Sequence, residues 1–363
     1  MNMPQRRDIE MDRNDQRVPY TREPLGPSDH TIAYGGLALY GVTALVLIYA
    51  WFNRKYPPLK ARNVPLITIM YLSGLGWFSG SIMGNELVMG DWLFRACRGW
   101  MIWLRVGCMF VFTCTVAFRL YALDRVFVQG KTYRGWSMYV PVILLLVSAI
   151  AFCTVSQIVP DRLTVIYLEY YEICHYVYAY RYVCIALGWG MWTLCHILAW
   201  RCRNIHTCFN EYRESIITVV LGHACDLEMT LVHVFLPDYA LYAWQRGLAA
   251  AFDLVVTLAG ILLILLYPTY QCLFHREEYL QAWLTKLSQD GLRREYEVEG
   301  DTTKDAQISG PARRLESIPY DHSYNNTSQG APFPGPYDYG TTVHTDIYQD
   351  HLEKSERMSR QLI

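Results

Sequence analysis

Apolar residues in this chain come in long blocks, and polar stretches separate one block from the next. Thr31 to Phe52 runs without a single charge. At about 1.5 Å rise per residue, such a run crosses a hydrocarbon core roughly 30 Å thick as one helix. Six more follow: Val64 to Gly84, Cys97 to Phe127, Ser137 to Val159, Val177 to Trp200, Ser215 to Leu236 and Gly247 to Tyr267. We number them spans 1 to 7. The pattern predicts an all-α fold, a bundle of seven transmembrane helices, with turns at Pro57–Pro58, Pro160–Asp161 and Pro237–Asp238.

The flanks read differently. Residues 1–30 mix five basic and six acidic side chains with prolines and are expected to be a disordered tail on the outer side. Residues 31–268 form the seven-transmembrane domain. After Pro268, residues 269–288 place Leu273, Leu280, Trp283, Leu284 and Leu287 largely along one helical side. That suits an amphipathic helix on the inner membrane face, with Cys272 as a candidate acylation site. A plain cytosolic helix is the alternative. Residues 289–363 turn to Gly, Pro, Ser, Asn and charge, and are expected to be a disordered cytosolic tail.

Charge sets the expected orientation. The loops at residues 53–63, 119–136 and 201–214 hold eleven Lys or Arg, and those at 84–98, 158–176 and 237–246 hold four. By the positive-inside rule the first set is cytosolic, the amino terminus outside and the carboxyl terminus inside. A net charge of −1 gives no case for nucleic acid. The chain's 11 cysteines lie mostly inside apolar runs, so they are most simply packing residues. Cys97 and Cys174 are different, because both fall at the outer ends. On an oxidising side they can pair and pin the loop between spans 4 and 5; two free thiols is the alternative.

Charges inside the spans are costly, which makes function the first hypothesis for them. Arg105, Asp226, Glu228, His233 and Asp253 are the candidates for lining a ligand cavity. A static polar network is the competing account, and it fits Glu86 and Arg181, near span ends, at least as well. Span 6, with His223, Asp226 and His233, resembles a metal site at first sight. Span 7 has no histidine, however, and His175 and His196 lack metal spacing, so neither a catalytic metal nor a cofactor is expected. There is no lysine in span 7 for a retinal Schiff base, and no G-x-S-x-G or P-loop signature. No enzyme is predicted. On the inner side, Arg119, Asp124, Arg125, Arg201, Arg203, Asn210 and Glu211 could face a cytosolic partner, or simply anchor the chain at the interface.

Several motifs carry a family resemblance. Pro58-Leu-Lys-Ala-Arg-Asn-Val-Pro65 lies between spans 1 and 2, and Cys97 to Phe127 has a leading Cys, a Trp, a Gly midway and an Arg before the inner loop. Arg201-x-Arg-x-Ile with Phe209-Asn210-Glu211, and His275-Arg-Glu-Glu-Tyr279, complete the set. Together these resemble the seven-helix domain of metabotropic-glutamate-like (class C) receptors, and more closely fungal orphan receptors linked to a regulator of G-protein signalling. No large ligand-binding ectodomain is expected, and the final tail is too short for the regulator domain. The resemblance implies a receptor for an unknown small molecule or surface cue, coupled to a heterotrimeric G protein. A second copy of the chain is a further partner this class admits, and lipid surrounds it. A small-molecule transporter or channel is the alternative.

Overall fold

The computed structural model describes residues 23–85, 87–88, 96–129, 136–168, 173–204, 212–236 and 239–289. Residues 1–22 and 290–363 of the expected tails, with Glu86, Asn210 and Glu211, lie outside these, whereas residues 23–30, expected to be part of the first tail, are ordered and lead into a helix at Pro27. Seven helices are long and apolar enough to cross a membrane: Pro27–Phe52, Val64–Gly84, Gly99–Val126, Trp136–Ile158, Tyr178–Arg201, Arg213–Phe235 and Ala243–Phe274. They are spans 1 to 7, and the protein is an integral membrane protein. The disulfide Cys97–Cys174, with S–S 1.97 Å, marks one end of the bundle, here the disulfide end. The other is the Arg62 end.

Span 3 is the axis. Of its apolar stretch 72% is buried, against 11% for span 4, which turns Leu144, Val147, Ile150 and Val155 outward. In water such a face would be an interaction patch, whereas on a membrane-spanning helix it meets lipid. The first half of span 3, Gly99–Gly107, is wound as a π-helix, and only Cys108–Leu123 is α-helical. A π-wound stretch inside an α-helix often accompanies a functional site. Two of its carbonyls take extra donors, the Tyr176 hydroxyl on Met101 O at 3.3 Å and the Cys153 thiol on Ile102 O at 3.7 Å. Span 2 meets this stretch through Gly80, where a Cβ would lie 2.4 Å from the Arg105 backbone nitrogen. Only glycine permits that approach.

Three features stand out against the sequence reading. Span 1 starts at Pro27 rather than Thr31, because Pro27 suits a first helical turn and the Asp29 carboxylate accepts the Gly26 N–H at 2.9 Å. Span 7 runs on through Pro268 to Phe274 before the chain bends at His275 into a helix at Arg276–Gln289. The loop between spans 4 and 5 carries two strands, β1 (Val165–Leu168) and β2 (Ile173–Tyr176), paired antiparallel with Tyr167 opposite Cys174. The disulfide ties β2 to the start of span 3, so the hairpin packs down on the bundle with Ile173, Cys174 and Tyr176 buried.

Candidate functional site

Beneath the hairpin, spans 2, 3, 6 and 7 converge on Arg105, which is 1% exposed. One of its terminal nitrogens donates to the Tyr239 hydroxyl at 3.4 Å. The other lies 3.7 Å from the Asp253 carboxylate and 3.7 Å from the Met229 sulfur. Tyr239 in turn donates to Asn85 Oδ1 at 3.0 Å, and Asn85 donates to Ser81 Oγ at 3.3 Å. The other Asp253 oxygen accepts the Cys225 thiol at 3.6 Å. His233 stands edge-on to the Tyr239 ring, 4.8 Å between centroids. Arg105, Glu228 and Asp253 interact electrostatically at this depth. Among the described residues, Arg105 Nε, Glu228 Oε1 and His233 Nδ1 are buried without a hydrogen-bond partner. An unmet buried polar atom costs about 1–3 kcal/mol, so three together mark a place suited to a polar ligand.

The structure thus brings four of the five cavity candidates together. The fifth, Asp226, is also buried but faces span 5, where a Cβ on Gly188 would lie 2.9 Å from its Oδ1. Tyr239, Asn85, Ser81 and Met229 were missed, being uncharged residues that look ordinary within a span or in a turn. Among the described residues, no group of three or more His, Cys, Asp or Glu is placed to hold a metal.

Arg181 braces the hairpin against this cluster. It is 2% exposed and donates to His233 O at 2.8 Å and Tyr176 O at 3.2 Å. It also meets His175 Nε2 at 3.1 Å, so a neutral His175 accepts there and carries its proton on Nδ1. Burial, and then the Arg181 cation, push the His175 pKa down to about 4. An unfolded histidine takes its proton near 6.5, so the unfolded chain binds more protons between pH 6.5 and 4, and stability falls as pH drops through that window. At most about 3 kcal/mol is lost by pH 4, at 1.36 kcal/mol per pKa unit. Thermal melting from pH 7 to 4 should show His175→Gln losing less stability than the parent over that window.

Comparison with known proteins bears on the whole bundle. The model of the family described as 7 transmembrane sweet-taste receptor of 3 GCPR, the class 3 G-protein-coupled receptors, matches residues 29–269. The chain belongs to this family. No curated protein matches it. The matched region covers spans 2 to 6 whole and most of spans 1 and 7, so the resemblance to class C receptors holds for the transmembrane domain.

At its Arg62 end the receptor is held by charges. Glu214, at the start of span 6, accepts both terminal nitrogens of Arg62, one of them at 3.2 Å. Arg119 in span 3 donates to the Arg62 carbonyl at 3.1 Å. Arg201 in span 5 lies 3.0 Å from Asp124, which also accepts Gln129 Nε2 at 2.6 Å. Arg119 and Asp124, read from the sequence as partner-facing, are instead buried, each met by a carbonyl or a counter-ion that offsets the cost of holding a charge in apolar surroundings. Arg125 is tied to Ser137 at the start of span 4, donating to its carbonyl at 2.8 Å. Arg201, half-exposed, and Arg203, stacked over Trp200 at 4.7 Å, stay near the surface. Cys272 also differs from its expected role: it is 2% exposed, packed with Tyr56 and Leu59, with the Tyr49 hydroxyl 4.0 Å from its sulfur. So enclosed, its thiol is out of an acyl donor's reach and serves as packing.

Proposed function

We propose that this receptor binds a small molecule or surface cue at the Arg105 cluster and couples through its Arg62 end to a heterotrimeric G protein. The unmet buried groups around Arg105 carry the reading. A ligand that pairs with Glu228 or His233 gains what the empty arrangement lacks, and one that binds a second packing better shifts the population toward it. The excess of basic residues at the Arg62 end favours a cytosolic position for it, and a disulfide needs the oxidising side for the other. The plasma membrane fits both. The inner-loop motifs around Arg201 further favour a kinship with fungal receptors.

In this reading the contacts Arg62–Glu214 and Asp124–Arg201 hold the inner ends of spans 2, 3, 5 and 6 closed. Activation repacks those spans and frees a surface for Gα. Co-purification with the host's Gα subunits, with and without a GTP analogue, tests this. Association should be nucleotide-sensitive and should rise about tenfold in Glu214→Gln, the factor carried by about 1.4 kcal/mol of closed-state contact. No association with any Gα subunit, from folded protein, would point to transport, which uptake into vesicles would then measure.

A further inference from the structure

The disulfide end carries a second construction that no part of the ligand reading uses. Residues 23–26 lie as an extended strap across the start of span 7. The Glu23 N–H donates to Leu241 O at 3.0 Å, and the Glu23 carboxylate accepts the Ala243 N–H at 2.8 Å. Arg246, fully buried, donates to the Glu23 carbonyl at 3.1 Å and the Pro24 carbonyl at 3.2 Å. Its Nε and the same terminal nitrogen that meets Pro24 grip the Asp29 carboxylate at 3.1 and 2.7 Å, with both side chains shielded from solvent. Every polar group of that guanidinium is therefore engaged by the chain's own amino-terminal segment.

The strap ends on the turn Tyr239–Leu241, and that turn also supplies Tyr239 to the site. A single residue, Ala240, separates the residue whose carbonyl Glu23 holds from the one whose hydroxyl bridges Arg105 and Asn85. Tyr239, Ala240 and Leu241 are buried and pack with Ile173 of the hairpin and Val232 of span 6. A three-residue turn fixed so closely on each side has little room to shift one end without the other.

We propose that the segment Glu23–Asp29 is a positioning strap, which through the Leu241 carbonyl and Arg246 sets the Tyr239 hydroxyl between Arg105 and Asn85. Glu23, Asp29 and Arg246 are then positioning residues, remote from any ligand but controlling the geometry of its site. The inference rests on the reading of the Arg105 cluster as the ligand site only for its functional meaning. The mechanical coupling stands apart from that reading.

The test is amide hydrogen exchange on the full chain in a lipid nanodisc, with no ligand or G protein present. Glu23→Pro removes both the N–H donor and the carboxylate at an exposed position, so the bundle should still fold. Exchange should rise about tenfold, the factor a lost pair of hydrogen bonds carries, at the strap's own partner Ala243. It should rise also at Asn85 and Leu87, which the strap does not touch and whose amides bond Ser81 O and Ile82 O at 3.0 Å. Tyr239→Phe should produce the same rise at Asn85 and Leu87, and adding Glu23→Pro to it should add little there. A rise confined to Ala243 and its neighbours would overturn the proposal, as would unchanged exchange or a uniform rise across all seven spans. Failure of this test leaves the Gα measurement untouched, and failure of that one leaves the strap in place.

Discussion

Arg246→Met should destabilise the receptor by about 3–5 kcal/mol, the usual result of removing one partner from a fully buried ion pair. The cost comes less from the lost attraction than from what stays behind. Asp29 would keep its charge with no solvent exposure, and the Glu23 and Pro24 carbonyls would lose their donor. Asp29→Asn in the same chain should recover most of the loss, since the amide oxygen still accepts from Gly26 while the stranded charge is gone. Melting of the two single variants and the double variant in detergent checks this. Additive losses would mean that the two side chains do not act as a pair.

Arg105→Met is the second large effect, expected at about 3 kcal/mol, from the loss of the only guanidinium facing Asp253 among the described contacts. Here geometry separates charge from shape. Arg105→Lys keeps a cation near Asp253 but cannot hold the Tyr239 hydroxyl at the same time with a shorter, unforked head. It should therefore melt between the parent and Arg105→Met while raising amide exchange at Asn85 and Leu87 as much as Arg105→Met does. If the lysine variant leaves exchange there unchanged, the guanidinium does not hold the Tyr239 hydroxyl in place.

How far the sequence reached depended on how each feature is written in it. Seven spans were legible because bilayer thickness imposes a run length that soluble helices seldom show. Arg105, Glu228, His233 and Asp253 were legible because a charged or ionisable group in such a run is costly. Asp29 and Arg246 carry the same charges, yet sit at span ends, where charge is cheap and looks like interface anchoring. Their pairing joins residues 217 apart in sequence, and nothing local encodes it. Asn85 and Tyr239 gave no signal, being uncharged. The strands at Val165–Leu168 and Ile173–Tyr176 are four residues each, too short for alternation to stand out. Arg119 and Asp124 were found but assigned to the surface, since composition marks a membrane boundary without saying which way a side chain turns.

The π-winding of Gly99–Gly107 has a practical consequence for work on span 3. A turn closed by i→i+5 bonds holds more residues than the 3.6 of an α-turn, so the two halves of this helix fall out of phase. A helical wheel anchored on Arg119 and counted back in α-steps therefore drifts from the true direction beyond Gly107, further with each residue towards Gly99. Cysteine pairs or reporter labels joining span 3 to spans 6 and 7 have to be chosen with separate wheels, one on each side of Gly107.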